Sequence, residues 1–426
     1  MNKRKYSKLI SLLLKPLVKA VLHKYQPRII GITGSVGKTS AKEAIFSVLK
    51  NKYRVGRNAK NFNNELGLPL TILGIEKSGG KNIFVWLGVI LKAWQLILFT
   101  NKKYPQVLVL EMGADRPGDI KYLTSMAKPD IAVITTIGQS HIEYFGSIEN
   151  IAKEKISITD NLRKEDFAII NGDDPYLQNL SKNKKISVRT FGQSDACDIK
   201  ISKIHLTFRQ DTFGTNFKLK YQGREVPVFL PNILGSQHAM AAAAACAVAL
   251  VMGFNIVEAT TNIQDYQPAL GRTKLLPGVK NTWLIDDSYN SSPQSSKVAL
   301  NILSELPSEG RKIAVLGDML ELGAQSEVEH NLVGKLLVDL KIDYLVVVGE
   351  RSRDIARGAI RAGMSEDKIF HFPKAFEAGT FLQERLKEHD IVLIKGSRGI
   401  KMEQIVYELM ARPWEANEYL VGSVKK

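Results

Sequence analysis

The amino-acid sequence predicts an α/β protein: a nucleotide-binding domain with a mostly parallel sheet, followed by a Rossmann-like domain. Three observations support this fold class. A glycine-rich loop stands between a short apolar strand and a helix, within residues 28–51. Short β-rich runs then alternate with amphipathic helical patterns, which is typical of a parallel sheet covered by helices. The alternation begins again near residue 270, and 426 residues are too many for one compact core.

The apolar runs predict strands in two groups, one on each side of residue 270. The first group comprises residues 28–32, 107–110, 131–134 and 168–170, and the second comprises residues 282–285, 313–316, 344–348 and 391–394. Helices are predicted from about residue 40 to 51 and from 240 to 251, and a small antiparallel patch is expected within residues 185–230. The predicted segments are a basic amphipathic N-terminal segment at 1–28, a central ATP-binding domain at 29–269 with an apolar insertion at 83–104, and a C-terminal Rossmann-like domain at 270–426.

Composition narrows the class of protein. With 44% hydrophobic and 24% charged residues, the chain is expected to be globular rather than disordered. The two cysteines, Cys197 and Cys246, lie far apart and form no CxxC pattern. A disulfide framework or a zinc site is therefore not expected, and a reducing cytoplasm fits better.

The net charge of +16 is concentrated at the start of the chain, where residues 1–28 carry eight basic side chains and no acidic one. Apolar residues recur there at helical spacing. Such a segment can lie on an anionic membrane surface, or it can pack on the body of the protein with its lysines in water. A secretory signal is not expected, because Lys15 and Lys19 interrupt the apolar run. Nucleic-acid binding is not expected either, since the basic cluster lacks interleaved aromatic residues.

A second unusual stretch, residues 83–99, is almost entirely apolar. It is too short for a comfortable bilayer span and contains Lys92, so an interfacial or buried helix is favoured over a transmembrane one. Trp86 and Trp94 would suit a boundary between membrane and water.

The glycine-rich loop predicts a phosphate site. Backbone N–H groups of such a loop and of the helix that follows it bind phosphate oxygens. Lys38 would reach the β- and γ-phosphates of ATP, and the Thr39 hydroxyl would coordinate Mg²⁺. The loop has the shorter TGxxGKT form, because Ile32 occupies the position of the first glycine in the GxxxxGK[ST] pattern. The predicted nucleotide-binding residues are Gly34, Ser35, Gly37, Lys38, Thr39 and Ser40.

Two further strand ends provide candidate metal ligands. Glu111 ends the apolar strand at residues 107–110, and His141 follows the strand at residues 131–134 through a short polar loop. Side chains just past the carboxyl ends of parallel strands face the ligand crevice. Glu111 is therefore a candidate Mg²⁺ ligand, whereas spacing alone leaves a structural role for His141 equally open.

The sequence resembles the Mur ligase superfamily, and most of all the branch of that family that attaches D-Ala-D-Ala. The resemblance covers roughly residues 29–405 and rests on eight stretches in the family's order. These are GITGSVGKTS, NFNNELGLPLTIL, LEMGADRPGDI, ITTIGQSHIEYFGSIENIAKEK, GRTK, DDSYNSSPQS, LGDMLELG and VLIKGSR.

The resemblance implies a role for each matched residue near the phosphates. Lys38 and Thr39 keep the roles already argued. Glu111 and His141 match Mg²⁺ ligands, and Lys155 matches a lysine that the family carbamylates to bind metal.

The resemblance also implies contacts farther along the chain. Arg272 matches an arginine that reaches the ATP phosphates when the domains close. The other matches are Asp287 and Asn290 near ribose and adenine, Asn63 and Asn64 beside the substrate, and Lys395, Ser397 and Arg398 on a loop that faces the incoming amine.

The function implied is ATP-dependent amide ligation through an acyl-phosphate, with ATP and Mg²⁺ as cofactors. The expected partners are a peptide-nucleotide substrate and D-Ala-D-Ala or another amine, and a cytoplasmic monomer is expected, with peripheral contact at the inner membrane face left open. In the family a longer UDP-binding domain precedes the P-loop strand. Here only about 28 residues precede it, so that part is expected to be missing or replaced by the basic helix. The alternatives are a ligase for a lipid-linked or polyglutamate-like carboxylate, and a nucleotide-gated binding module without catalysis.

Overall fold

The computed structural model describes residues 3–58, 62–76, 82–138, 142–181, 186–209 and 211–422. The chain forms two compact units. The first comprises Met1–Ile204, Phe217–Val228 and Gln237–Gln267, and the second comprises His205–Asn216, Phe229–Ser236 and Pro268–Lys426. The segment boundaries predicted at residues 28/29 and 269/270 stay predictions.

The first sheet has nine strands in the order β2-β3-β1-β4-β5-β6-β7-β8-β9. The strands are β1 (Arg28–Thr33), β2 (Val55–Arg57), β3 (Val107–Glu111), β4 (Ile131–Ile134), β5 (Phe167–Asn171), β6 (Ser187–Gly192), β7 (Ile199–Arg209), β8 (Thr212–Tyr221) and β9 (Arg224–Pro231). Strand β1 lies between β3 and β4 and is parallel to both. The carboxyl ends of these three strands therefore meet at one edge of the sheet.

In the described part of the chain, ten helices accompany these strands. They are α1 (Lys3–Tyr25), α2 (Lys38–Leu49), α3 (Gly67–Ile72), α4 (Ile83–Leu98), α5 (Asp119–Met126), α6 (Ile142–Phe145), α7 (Ile148–Ile156), α8 (Gln178–Ser181), α9 (Ser236–Val251) and α10 (Ile256–Ile263). The predicted strands and helices of this region are present, with ends shifted by a few residues. The antiparallel patch expected within residues 185–230 is wrong in one part, because β6 pairs in parallel with β5 and extends the main sheet.

Strands β8 and β9 are joined by Gln222 and Gly223, both with positive φ (47° and 79°). Two successive positive φ angles are typical of the tight turn that suits an antiparallel hairpin. A short turn can join antiparallel strands directly, so this pair needs no crossover helix.

The N-terminal helix α1 packs into the first unit rather than standing apart from it. Leu14, Val18 and Val21 are buried in the same core cluster as Trp86 and other residues of α4. Burial of Trp86 shows that its predicted place at a membrane boundary is wrong, whereas Trp94 is exposed. Among the described helices, none is both long enough and apolar enough to cross a membrane.

The second unit contains a six-stranded sheet in the order β10-β11-β15-β12-β13-β14. Its strands are β10 (Lys274–Gly278), β11 (Thr282–Asp287), β12 (Lys312–Gly317), β13 (Tyr344–Val348), β14 (Ile369–Phe372) and β15 (Ile391–Lys395). Its helices are α11 (Pro293–Glu305), α12 (Ser326–Asp339), α13 (Arg353–Arg361), α14 (Ala375–Arg385), α15 (Glu403–Leu409) and α16 (Ala416–Tyr419). The pairings are parallel except for that of β10 with β11.

Strand β15 shows how this sheet is covered on both faces. Ile391 and Leu393 belong to one core cluster, while the alternate residues Val392 and Ile394 belong to another. Since successive side chains of a strand point to opposite faces, helices cover both sides of the sheet. This is the α/β architecture that the sequence predicts, with a Rossmann-like C-terminal region.

The packing of α1 leads to a stability prediction. Leu14 is 1% exposed and Leu12 is 61% exposed on the same helix. We expect Leu14→Ala to lower the free energy of unfolding by about 2–4 kcal/mol, because it removes buried methyl groups and leaves a cavity. Leu12→Ala is the matched control and should change it by less than about 0.5 kcal/mol. Urea titration followed by tryptophan fluorescence measures both, and equal effects would show that α1 does not belong to the core.

Candidate active site

The glycine-rich loop connects β1 to α2 and requires glycine at its first position. Gly34 has φ 145°, and a Cβ there would lie 2.0 Å from Thr135 Oγ1. Gly37 immediately precedes α2 with φ 88°. Helix α2 thus begins at Lys38, and the N–H groups of its first turn point towards the loop, as phosphate binding requires.

The loop is held by residues 135–138, which follow β4. The Ser35 N–H donates to Thr136 O at 2.6 Å, and Ser35 Oγ lies 2.9 Å from both the N and the O of Gly138. The Thr135 hydroxyl donates to Val36 O at 2.6 Å. Hydrogen bonds from a neighbouring strand end therefore fix the shape of the loop before any ligand is considered. The Lys38 ammonium donates to the carbonyl of Gly34 at 2.6 Å, so its side chain lies along the loop.

Glu111 is the centre of a polar network at the end of β3. Its Oε2 accepts a hydrogen bond from the Thr39 hydroxyl at 3.0 Å, and its Oε1 accepts one from Asn63 Nδ2 at 3.0 Å. The side chain is almost completely buried. The structure therefore brings together three of the predicted site residues, which are separated by up to 72 positions in sequence.

Two buried residues that support Glu111 were missed by the sequence prediction. Asn58 accepts a hydrogen bond from the Glu111 N–H, and its amide also donates to Phe62 O. The Lys42 ammonium donates to Asn58 O at 2.9 Å and lies 4.0 Å from Glu111 Oε2 and 3.2 Å from Glu43. A lysine one turn after the P-loop lysine gave no signal in sequence, since helix lysines are usually solvated.

Thr39 and Glu111 form a donor set that fits Mg²⁺. Magnesium prefers oxygen ligands and commonly binds through one or two carboxylates together with phosphates and waters. The hydroxyl and the carboxylate lie side by side at the start of α2 and the end of β3. Within the described residues, no three His, Cys, Asp or Glu side chains cluster closely enough to hold a metal by themselves. His141 lies outside the described residues, so its predicted metal role stays a prediction.

Lys155 lies on α7 and is buried. Burial lowers the pKa of its ammonium to about 7, and the positive charge of Lys38 adds to the shift, although Glu154, Asp115 and Asp119 oppose it. A large fraction of Lys155 is therefore a neutral amine near neutral pH. The sequence alone would suggest that Lys155 is a solvated helix lysine, but the structure shows that it is buried.

These residues line one cleft of the first unit. Gly34, Ser35 and Lys38 form one side, and Lys155 lies in the same cleft. The remaining lining residues are Asn63, Asn64, Glu65, Gly113, Ala114, Asp115, Asp119, Tyr122 and Leu123. Six of the residues predicted for phosphate, metal and substrate therefore share one cavity, and Glu111 contacts its wall through Asn63.

The predicted site residues of the second unit cluster around the end of β11. Gly271 has φ 67°, and a Cβ there would lie 2.8 Å from the Tyr289 N. The Arg272 guanidinium lies 4.3 Å from the centre of the Tyr289 ring. Asp287 Oδ1 accepts a hydrogen bond from the Thr273 N–H at 3.2 Å, which ties the segment after Gly271 to the strand end.

Lys395, at the end of β15, is buried. Its ammonium donates to Asp287 Oδ2 at 2.6 Å and to Asn290 O at 2.9 Å. Burial lowers the pKa of Lys395, and the Asp287 carboxylate opposes that shift. Lys395 therefore holds the turn at residues 287–290 in position, and direct contact with a substrate stays a prediction.

Ser397 and Arg398 also make contacts inside the second unit. Ser397 Oγ accepts a hydrogen bond from the Leu320 N–H at 2.9 Å, and Ser397 N–H donates to Asp318 O at 3.0 Å. Arg398 forms an ion pair of 2.8 Å with Glu403. The loops after β12 and β15, two neighbouring strands, are thereby joined.

A P-loop beside a strand-end carboxylate, on a parallel sheet with a Rossmann-like second unit, defines a nucleotide-dependent α/β enzyme. Comparison with protein families agrees with this class. The profile of the Mur ligase middle domain matches residues 91–249, and that of the Mur ligase glutamate ligase domain matches residues 271–398.

Curated relatives cover nearly the whole chain. The UDP-N-acetylmuramoyl-tripeptide–D-alanyl-D-alanine ligase of Bacillus subtilis (strain 168) is 34% identical over 400 residues, which cover 94% of this chain and 79% of the relative. The ligase of the same name from Escherichia coli (strain K12) is 30% identical over 387 residues, with coverage of 90% and 76%.

Solved structures show the same fold. The crystal structure of MurF from Acinetobacter baumannii has a TM-score of 0.76 at 27% identity and covers 93% of this chain and 79% of that one. MurF from Thermotoga maritima in complex with ADP has a TM-score of 0.75 at 26% identity, with coverage of 94% and 83%. This chain belongs to the Mur ligase family of ATP-dependent ligases, and within it to the MurF branch. The predicted fold class and family resemblance are confirmed.

The support of Glu111 leads to a second prediction. We expect Asn58→Ala to lower the free energy of unfolding by about 1–3 kcal/mol, because it leaves the buried Glu111 N–H without its acceptor. Asn51 makes an exposed hydrogen bond to Asn262, so Asn51→Ala is the control and should change the stability by less than about 0.5 kcal/mol. Thermal unfolding of the two variants beside the wild type measures the difference. A wild-type melting temperature for Asn58→Ala would contradict the assigned network.

Proposed function

We propose that this chain joins D-Ala-D-Ala to a UDP-muramoyl-tripeptide in peptidoglycan synthesis, using ATP and Mg²⁺. The observation that carries the proposal is the Thr39–Glu111 pair beside the P-loop. The chain that contains this pair is 34% identical to the UDP-N-acetylmuramoyl-tripeptide–D-alanyl-D-alanine ligase of Bacillus subtilis. The cleft that contains Lys38, Asn63, Asn64 and Lys155 offers cationic and amide groups to a carboxylate and to phosphates. The proposed reaction needs no redox-active or nucleophilic side chain of the protein, and the charged and amide groups of this cleft fit such a reaction.

The reaction proceeds in two steps. A carboxylate oxygen of the tripeptide attacks the γ-phosphorus of ATP, the bond to ADP breaks, and an acyl-phosphate forms. The amine of D-Ala-D-Ala then attacks the acyl carbon, loses a proton and expels inorganic phosphate. Mg²⁺ held by Thr39 and Glu111 would supply positive charge beside the phosphate oxygens.

The residues of the cleft supply position and charge. Lys38 moves from the loop carbonyls to the β- and γ-phosphates, where its ammonium stabilises the negative charge of the transferring group. Thr39 and Glu111 would hold the metal, and Asn58 keeps Glu111 in place. Asn63 bridges Glu111 and the cleft, so that it can orient the carboxylate substrate.

Lys155 is the proposed site of a carbamate. The neutral amine attacks CO₂, a C–N bond forms and one proton is released, which leaves an anionic group with two oxygens. Burial beside Lys38 supports this step, because it favours the neutral amine and places a cation next to the new anion. Together with His141, the carbamate would hold a second Mg²⁺.

The second unit is proposed to complete the substrate contacts. Arg272 would bind ATP phosphates, and Asp287 and Asn290 would contact the nucleoside. Ser397 and Arg398 would face the amine, with Lys395 holding the Asp287 turn from within the unit.

For its place in the cell, we propose a cytoplasmic monomer with peripheral contact at the inner membrane face. The basic, amphipathic sequence of α1 supports this contact.

A direct assay tests the function. Purified protein with ATP, Mg²⁺, UDP-muramoyl-tripeptide and D-Ala-D-Ala should release phosphate, and release should require both substrates. Lys38→Ala should reduce the rate at least about 100-fold, because the ammonium that stabilises the transferring phosphoryl group is lost. Lys128→Ala, at an exposed lysine of the same unit, should leave the rate unchanged. Phosphate release with another carboxylate acceptor but none with the muramoyl-tripeptide would overturn the substrate assignment, and turnover by Lys38→Ala would overturn the site.

The carbamate has its own test. Lys155→Ala should lose ligase activity, and added acetate or formate should restore part of it, because a small carboxylate can occupy the space and supply the missing oxygens. Lys155→Gln fills that space and should not respond to the added carboxylate. If Lys155→Ala keeps full activity in buffer free of carboxylate, or if neither variant responds, the carbamate is excluded.

A further inference from the structure

The outward face of α4 is an apolar stripe with no covering element among the described residues. Five large side chains recur every three or four positions, which places them along one side of the helix. They are Phe84, Leu87, Leu91, Trp94 and Leu98, with exposed fractions of 79%, 53%, 61%, 48% and 66%. We refer to these five residues as the α4 outer stripe.

The opposite side of the same helix is already packed. Trp86, Val89, Ala93 and Leu96 are buried at similar spacing in the core cluster shared with α1. A helix that is apolar all round is normally buried on all sides. The described residues cover only one side of this helix, so the outer stripe is suited to another apolar phase or partner.

The two segments that contain α1 and α4 carry charge of one sign. Residues 1–28 and 83–104 contain eleven basic side chains and no acidic one. Lys19 and Lys24 of α1 and Lys102 and Lys103 just after α4 are exposed. Helix α1 is bound directly to α4, because the Lys24 ammonium donates to Leu96 O at 3.0 Å and to Ile97 O at 2.9 Å.

Helix α1 also reaches the wall of the catalytic cleft. Ser11 Oγ lies 2.6 Å from the Tyr122 hydroxyl and donates to Glu65 O at 2.8 Å, and both Tyr122 and Glu65 line the cleft. The Lys15 ammonium lies 5.1 Å from the centre of the Tyr122 ring and donates to Ser125 Oγ. One helix, α1, thus contacts both the helix that carries the apolar stripe and the wall of the cleft.

We propose that the α4 outer stripe docks on the surface of an anionic phospholipid bilayer, with the stripe in the interfacial region and the basic residues of α1 and 102–103 on lipid headgroups. Through α1, docking holds the cleft beside the membrane surface, so the enzyme works next to lipid. The bilayer contact itself does not depend on the proposed ligase reaction. It extends the contact proposed for the N-terminal helix, because the main lipid-facing residues belong to α4 and the inner side of α1 is buried in protein.

Charge complementarity favours a bilayer over a second copy of this chain. A symmetric contact would place two clusters of lysine opposite each other, and like charges across an interface repel. An anionic lipid surface attracts each basic residue near it and accepts the apolar stripe at the same time. Trp94 among aliphatic residues also suits the boundary between headgroups and acyl chains.

Vesicle co-sedimentation of the full chain tests the proposal. The wild type should bind vesicles of phosphatidylcholine and phosphatidylglycerol, and it should bind pure phosphatidylcholine at least about tenfold more weakly. The triple variant Leu87→Ser, Leu91→Ser, Trp94→Ser should bind the mixed vesicles at least about tenfold more weakly than the wild type. Lys102→Glu with Lys103→Glu should weaken binding and reduce its dependence on salt.

The control removes exposed aromatic residues elsewhere. Phe376 and Trp414 are 60% and 75% exposed in the second unit. Phe376→Ser with Trp414→Ser should bind vesicles like the wild type. The melting temperature of each variant should stay within a few degrees of the wild type, since the changed side chains are exposed.

Three results would overturn the proposal. One is vesicle binding by the triple variant that equals that of the wild type. Another is binding of the wild type that is indifferent to phosphatidylglycerol. The third is a wild-type dimer in light scattering that the triple variant turns into a monomer, which would assign the stripe to a second copy. None of these measurements needs substrate, so a failed ligase assay and a failed docking assay are distinguishable.

Discussion

The parallel pairing of β1 with β3 and β4 is the constraint on which the site depends. Parallel strands end at the same edge of a sheet, so the loops after Thr33, Glu111 and Ile134 meet there. The loop after Thr33 is the P-loop, and the second loop begins at the Glu111 carboxylate. The third loop, after Ile134, forms hydrogen bonds with Ser35. Because β1 lies between the other two strands, a change in its register would move all three groups at once.

The polar groups at this edge stabilise one another in a buried setting. A buried carboxylate needs partners, and Glu111 has a hydroxyl, an amide and a nearby ammonium. The Asn58 side chain fixes the main chain of the same residue. Such a network costs stability when one member is removed, but it gives the carboxylate a single orientation. If metal and phosphate bind as proposed, this network is already in place for them, and the Lys38 side chain is the part that would move.

The N-terminal helix has a different role from the one that its composition first suggests. Its charge indicates a surface element, yet Leu14, Val18 and Val21 are buried and Ser11 contacts a residue of the cleft. Helix α1 is therefore part of the first unit and braces the cleft wall. Its exposed lysines remain available to an anionic surface, and α4 contributes the apolar stripe. The same helix serves both packing and surface charge because its two sides carry different residues.

The sequence by itself determined the fold class, the P-loop and the carboxylate at the end of β3, because periodicity and glycine spacing are local signals. The family resemblance added the positions of Lys155, Arg272 and the loop that contains Lys395. Only the tertiary structure decided which polar residues meet. Asn58 and Lys42 lie beside Glu111, and Tyr122 lies beside Ser11, although these partners are distant in sequence. The tertiary structure also decided which side of the apolar helix α4 is covered. Trp86 and Trp94 both stand among apolar residues in the sequence, but Trp86 is buried and Trp94 is exposed. Burial is a property of the packed chain, and local pattern does not record it.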